Sequence, residues 1–284
     1  MARYRKILVA VDGSDASLHA LRESFKLAAC EKCWITVTSV VPPYEGELEL
    51  VGVANIRAAL RQPCDKALSD ATEVAKAHGA LIKTVCEEGE PHERIIDLAE
   101  AENCDLIITA RTGKGRVKRA LVGSVAARVI GYSHVDVLVV PIQAEVGWKN
   151  VLLATDGSKY SAAAVARAID FAASYGGKLK ALQVIDVPAE FYAETRTPID
   201  EMIQKAKANV QRIKQDAETA GVNAEALVRE GDSAELIMKL AAEEGIQTIV
   251  IGSHGRTGLR RLLMGSVAEK VIGNSPCPVL VVKP

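Results

Sequence analysis

The chain has 284 residues, 35 lysines and arginines against 36 aspartates and glutamates, a net charge of −1 and 49% hydrophobic residues. That balance gives no electrostatic reason to expect nucleic acid or an anionic membrane as a partner. No apolar run reaches a spanning length, residues 1–6 lead into a strand without the apolar region of a signal peptide, and a soluble, cytoplasmic protein is expected. Six unevenly spread cysteines do not suggest a disulfide framework in a chain of this size.

The length suggests about two domains, and a repeat places the division. Lys6-Ile7-Leu8-Val9-Ala10-Val11-Asp12-Gly13-Ser14 returns as Lys149-Asn150-Val151-Leu152-Leu153-Ala154-Thr155-Asp156-Gly157-Ser158. Residues 108–140 can be laid on residues 250–282 without a gap, with 15 of 33 positions identical, which marks a duplicated domain. Domains over residues 1–143 and 148–284 follow, each long enough for its own core. The connection between them is too short for two freely tumbling bodies, so the halves are expected to pack together.

In chain order, residues 7–11 form a short apolar strand of the kind buried on both faces. A helix is predicted over 16–29, with Ser14 or Ser17 as its cap. A second strand over 34–41 ends at Pro42-Pro43. An amphipathic helix follows near 66–78, which Pro63 starts or interrupts. A third strand over 81–86 leads to Gly89-Glu90-Pro91, where proline suits a first helical position. The fourth strand, 106–109, enters a glycine motif, a helix and a last strand, 137–140. The second half repeats the series: strand 151–154, helix 162–174 capped by Ser158 or Ser161, strand 179–187, helix 198–220 and strand 224–228. Asp232 with Glu235 resembles a capping box, and strands 248–251 and 279–282 complete the copy. Strands alternating with helices imply α/β architecture, here two tandem, doubly wound, parallel five-stranded sheets. Ligands of such sheets bind beyond the carboxyl ends of the strands, where strand order reverses. If the first and fourth strands are neighbours, Asp12 and Asp156 face the glycine loops. Both terminal strands end in Val-Leu-Val-Val, an apolar edge that pairing across a pseudo-two-fold axis would cover.

Gly252-Ser253-His254-Gly255 is followed after nine residues by Gly265-Ser266-Val267, and Ala110-Arg111-Thr112-Gly113 after nine residues by Gly123-Ser124-Val125. A strand that ends in a glycine-rich turn and feeds a helix gathers free backbone N–H groups and the positive end of the helix dipole, which together bind phosphate oxygens. Glycine admits positive φ and lets the backbone approach a ligand. The structural alternative is a set of tight turns and a capped helix start. The motif is neither a Walker A loop nor the dinucleotide G-x-G-x-x-G.

The pattern G-x2-G-x9-G-S, after an apolar strand and before a terminal Pro278-Val279-Leu280-Val281-Val282, resembles the ATP-binding universal stress protein family. Leu152 to Ser158 resembles the family's first strand and following loop, and Val184-Ile185-Asp186 the end of its second. The likeness spans the chain as two tandem domains and implies an adenine-nucleotide alpha-hydrolase-like fold. It implies that Ala154, Thr155, Asp156 and Val184 hold adenine and ribose, and that Gly252, Gly255, Gly265, Ser266 and Val267 hold ribose and phosphates. In the first half Asp12, Val40, Gly113, Gly123, Ser124 and Val125 match, while Ala110 replaces a glycine and would hinder binding if that position required positive φ. The resemblance implies ATP, often with Mg²⁺, dimerisation through the last strand, an internal pseudo-dimer in tandem members, a further homodimer as an open question, and an unidentified protein partner.

Asp12 and Asp156 read either as carboxylates for ribose or adenine or as turn residues, since Asp-Gly-Ser is turn chemistry by itself. Of the cations between the glycine pairs, Arg256 is the one singled out for phosphate; Lys114, Arg116, Lys118, Arg119, Arg260 and Arg261 read as a solvated face. His254 has no nucleophile and carboxylate arranged around it. Cys30-Glu31-Lys32-Cys33 falls at a helix end, where the dipole disfavours a thiolate, and Cys64, Cys86, Cys104 and Cys277 read as packing residues. The expected function is a nucleotide-dependent stress-response regulator that binds ATP in the second half, whose motif is intact, with binding in the first half, whose motif is degenerate, left open. The alternatives are a slow ATPase or phosphate-transferring enzyme, for which no general base is evident, and a nucleotide-free interaction scaffold.

Overall fold

A computed structural model describes residues 4–31, 33–43, 53–113, 122–186, 197–253 and 264–284. The chain divides into two compact units, residues 3–143 and 144–284 with the first two residues grouped with the latter.

In the first unit the elements run β1 (Lys6–Ala10), α1 (Asp15–Glu31), β2 (Trp34–Val41), α2 (Val53–Ala77), β3 (Ile82–Glu88), α3 (Pro91–Ala101), β4 (Leu106–Ala110), α4 (Ser124–Tyr132) and β5 (Asp136–Val140). The strands are parallel and ordered β3-β2-β1-β4-β5. The second unit repeats this with β6 (Asn150–Thr155), α5 (Ala162–Tyr175), β7 (Lys178–Ile185), α6 (Thr197–Thr219), β8 (Asn223–Glu230), α7 (Ser233–Glu243), β9 (Thr248–Gly252), α8 (Ser266–Asn274) and β10 (Val279–Val282), in the order β8-β7-β6-β9-β10. Both are the doubly wound α/β sheets expected from the alternation of strand and helix. No described helix is long and apolar enough to cross a membrane.

The apolar runs are buried as parallel strands demand. Ile7, Leu8 and Val9 of β1, Leu106 to Ile108 of β4 and Val151 to Leu153 of β6 are fully enclosed. A buried tyrosine supports the first core: the Tyr4 hydroxyl donates to Asp136 Oδ2 at 2.7 Å. In the second unit Trp148 stacks on Phe171 with ring centroids 4.0 Å apart.

Three local expectations need correction. Pro63 lies inside α2 rather than at its start. The helix continues past it, although proline removes the N–H that would bond the carbonyl four residues earlier. Ser158 and Ser161 make no side-chain cap; a short 3₁₀ turn, Lys159–Ser161, intervenes, and the Ser161 hydroxyl donates to the Ser158 carbonyl at 2.8 Å. Cys64 and Cys86 are not separate packing residues, because their sulfurs form a disulfide between α2 and β3. Cysteine count and spacing carry no information about a bridge that depends on which helix face meets which strand.

Asp232 does cap α7, accepting the Glu235 N–H at 2.8 Å. That hydrogen bond, with Lys270 nearby, holds its carboxyl below the usual carboxylate range. Asp232→Ala is expected to cost about 1 kcal/mol at neutral pH. Because the folded-state pKa is depressed, the contribution is present above the ordinary aspartate pKa of about 3.9 and is lost as pH falls through the lower folded value. Denaturant unfolding of both proteins at neutral and acidic pH reads the closing difference.

Candidate functional site

The strand order reverses at β1, which pairs with β2 on one side and β4 on the other. Connections leave in opposite directions from this point, so the carboxyl ends of β1 and β4 bound a crevice. In the first unit it is a cavity of about 500 Å³, within the range of small-molecule sites. All six site residues named for this half, Asp12, Val40, Gly113, Gly123, Ser124 and Val125, line it.

Asp12 follows β1 and is held by a turn. Its Oδ1 accepts the Ser14 N–H at 2.9 Å and the Ser14 hydroxyl at 2.6 Å, and its own N–H donates to Ser17 Oγ at 3.2 Å. Gly13 permits the turn by taking φ of 77°, and Gly157 takes 74° at the same place in the second unit. The other carboxylate oxygen of Asp12 lies against Gly113, where a methyl group would collide with it. The turn and binding readings of Asp12 are therefore compatible: one oxygen fixes the side chain and the other faces the glycine loop.

Gly123 is the N-cap of α4, with φ of −61° and no side-chain cap on the helix. Its N–H donates to the Arg111 carbonyl at 2.8 Å, which ties the loop to the helix start. The residues of the first turn, Ser124, Val125 and Ala126, border the cavity. An uncapped helix start facing a cavity offers N–H donors and a positive dipole end to an anion. Ala110 also lines the cavity, as the last residue of β4, and is not among the positive-φ residues. Its methyl group therefore imposes no backbone strain, although it occupies part of the cavity lining that a glycine would leave open.

Three lining groups escaped the sequence reading. Thr38 is fully buried in β2, borders the cavity, and its hydroxyl has no hydrogen-bond partner among the described residues. The polar Thr36-Val37-Thr38-Ser39 in an otherwise apolar strand was the available signal. Arg111 stands where the second copy has Ser253; it is half-buried, and burial lowers its pKa. Cys64 reaches the cavity from α2.

In the second unit Asp156 repeats the turn, with the Ser158 N–H donating to Oδ1 at 2.9 Å. Thr155 is buried, and its hydroxyl bonds Ser161 Oγ at 2.9 Å. Ala154 and Val184 are half-buried on neighbouring strands. Gly252 ends β9, and Gly265 caps α8 without a side-chain cap, so Ser266 and Val267 start that helix exposed. Gly255 and Arg256, with the other loop cations and His254, lie outside the described residues. A cavity of about 340 Å³ is lined by Asp156, Gln183, Lys205 and Asn209, among others. Asn209 donates to Gln183 Oε1 at 2.8 Å, and Gln183 Nε2 donates to the Asp156 carbonyl at 3.3 Å. The first unit has the smaller Ser39 and Ala67 at these two places.

Gly113→Ala is expected to lower stability by about 1–3 kcal/mol, because the methyl group must displace the Asp12 carboxylate or the loop. A denaturant midpoint equal to that of the unaltered protein would show that the two do not touch.

Known proteins place this arrangement. A family model described as the universal stress protein family matches residues 3–141 and again residues 147–283. A universal stress protein of Mycolicibacterium smegmatis is 27% identical, covering 98% of this chain and 97% of that protein. Universal stress protein MJ0531 of Methanocaldococcus jannaschii is 38% identical over 143 residues, covering 48% of this chain and 82% of that protein. The crystal structure of a universal stress protein from Archaeoglobus fulgidus has a TM-score of 0.74 at 22% identity, covering 98% of this chain and 96% of that one, a likeness of fold.

Proposed function

The chain belongs to the universal stress protein family as two tandem copies, and from that premise we propose that its first cavity binds an adenine nucleotide, ATP in the simplest case. The observation that carries the reading is the pairing of two needs in one cavity. At one end the uncapped start of α4 and the loop at Gly113 offer N–H donors suited to phosphate. Elsewhere on the lining, the fully buried Thr38 hydroxyl lacks a hydrogen-bond partner among the described residues, and buried polar groups are rarely left so. A ligand with a phosphate tail and a heteroaromatic base answers both. Asp12 supports the ribose between them through the carboxylate oxygen facing Gly113, and Val40 gives the base an apolar wall. A Mg²⁺ ion accompanying the nucleotide would take phosphate oxygens and water for most of its ligands.

The second unit has the same motif, with Ala154, Thr155, Asp156 and Val184 for the nucleoside and Gly252, Gly255, Arg256, Gly265, Ser266 and Val267 for the phosphates. There Gln183 and Asn209 hydrogen-bond to each other beside Asp156, where the first unit has the smaller Ser39 and Ala67. The role we assign is regulatory: nucleotide occupancy biases the conformation that a protein partner meets, in the cytoplasm, with the two halves as an internal pair.

Mass spectrometry of small molecules released from freshly purified protein tests the ligand. Adenine nucleotide is expected; its absence, together with no heat of binding on titration with ATP, would leave a scaffold. Thr38→Val separates the base contact from folding. It is expected to stabilise the ligand-free protein by about 1 kcal/mol, by removing an unpaired buried hydroxyl, and to weaken ATP binding about fivefold. Affinity unchanged by that substitution would remove Thr38 from the site.

A further inference from the structure

We propose that Cys64 and Cys86 are a thiol–disulfide exchange site, and that their bonded state sets the nucleotide affinity of the first cavity. The proposal rests on the nucleotide reading of that cavity.

The bond joins the helix wall of the cavity to the sheet beneath it. Cys64 lies on α2, is 3% exposed, and borders the cavity beside Pro63 and Leu60. Cys86 lies on β3 and is paired in register with Ser39 of β2, another cavity residue. The Cys64 sulfur is 3.4 Å from the Ser39 carbonyl oxygen. The disulfide is thus anchored to the strand that carries Thr38 and Val40, and to the helix above it.

Reduction removes the covalent tie between α2 and β3. Cys86 stays in the ladder that pairs the edge strand β3 with β2. The freedom gained therefore falls on Cys64 and on the stretch of α2 that walls the cavity. Pro63, next to it, already removes one hydrogen bond from this helix, which makes this turn the compliant one.

The chemistry is exchange with a low-molecular-weight thiol. Its thiolate attacks the sulfur of Cys86, the less buried of the two residues, the disulfide breaks, and Cys64 leaves and takes up a proton. A second molecule of the thiol resolves the mixed disulfide, so two thiols are consumed and one small disulfide is released. The Cys64 S–H then has the Ser39 carbonyl as acceptor. Elsewhere in the described units, burial pushes the Cys104 and Cys277 thiols up to about 11, which keeps them inert. The second copy has Ala206 and Val228 where the first has Cys64 and Cys86, with Val228 paired to Gln183 as Cys86 is to Ser39. Thiol control therefore belongs to one copy only.

The full chain is titrated with ATP by calorimetry, oxidised and after equilibration with excess glutathione, with the state of Cys64 and Cys86 read by alkylation and peptide mass. The oxidised form, whose wall is preorganised, is expected to bind about fivefold or more tightly than the reduced form at the first site, and saturating ATP is expected to lower the equilibrium constant for reduction by the same factor. Cys64→Ala with Cys86→Val, which gives this site the residues of the second copy, is expected to bind ATP with no dependence on glutathione. Affinity unchanged or raised by reduction, a pair that does not reduce, or a glutathione effect that persists in the double variant would overturn thiol control while leaving nucleotide binding standing. No ATP binding in either state would overturn both.

Discussion

In each unit the first strand is hydrogen-bonded to the second on one side and to the fourth on the other, and this placement fixes where a ligand can enter. Right-handed crossovers carry the chain outward from β1 to β3, then back across to β4 and β5. The loops after β1 and β4 consequently leave in opposite directions. Asp12 is delivered to one lip of the gap and the glycine loop to the other, close enough that a methyl group on Gly113 would reach the Asp12 carboxylate. The cavity, the uncapped start of α4 and the turn that fixes Asp12 all depend on that adjacency.

The two copies keep this frame and differ in what fills it. Their turn geometries agree closely, with Gly13 and Gly157 at φ of 77° and 74°, and Gly89 and Gly231 at 136° and 135°. The cavity surfaces do not agree. Thr38 faces Leu182, Ser39 faces Gln183, Ala67 faces Asn209, Arg111 faces Ser253, and the Cys64–Cys86 bridge faces Ala206 and Val228 when the copies are aligned. Duplication followed by such exchanges gives one chain two binding environments on a common backbone.

Most of the architecture was legible in the sequence because it follows from period and repetition. Short apolar runs such as Ile7-Leu8-Val9, bounded by turn residues, suit strands enclosed on both faces, and the repeat allows each copy to check the other. The site was legible in its backbone part, since glycines at fixed spacing announce close approach. Its side-chain part was not. Thr38, Arg111 and Cys64 come together from β2, the loop after β4, and α2, and no local pattern records which faces of these elements meet. For the same reason the bridge between Cys64 and Cys86 was missed, and Ser158 and Ser161 were assigned caps that a 3₁₀ turn makes unnecessary. Ala110 shows the converse: spacing raised the question of positive φ at this position, and the strand that Ala110 ends is extended, so the exchange costs no backbone strain.

The account's central claim is that backbone amides at the start of α4 receive the phosphates of a nucleotide lodged in the first cavity. Amide hydrogen exchange of Ser124, Val125 and Ala126, with and without saturating ATP, is the direct test, since the N-cap residue Gly123 has no side chain to cap these groups. Addition of ATP is expected to slow exchange markedly at these three amides and at Gly113. Exchange there that is unchanged while ATP is bound elsewhere on the chain would contradict it.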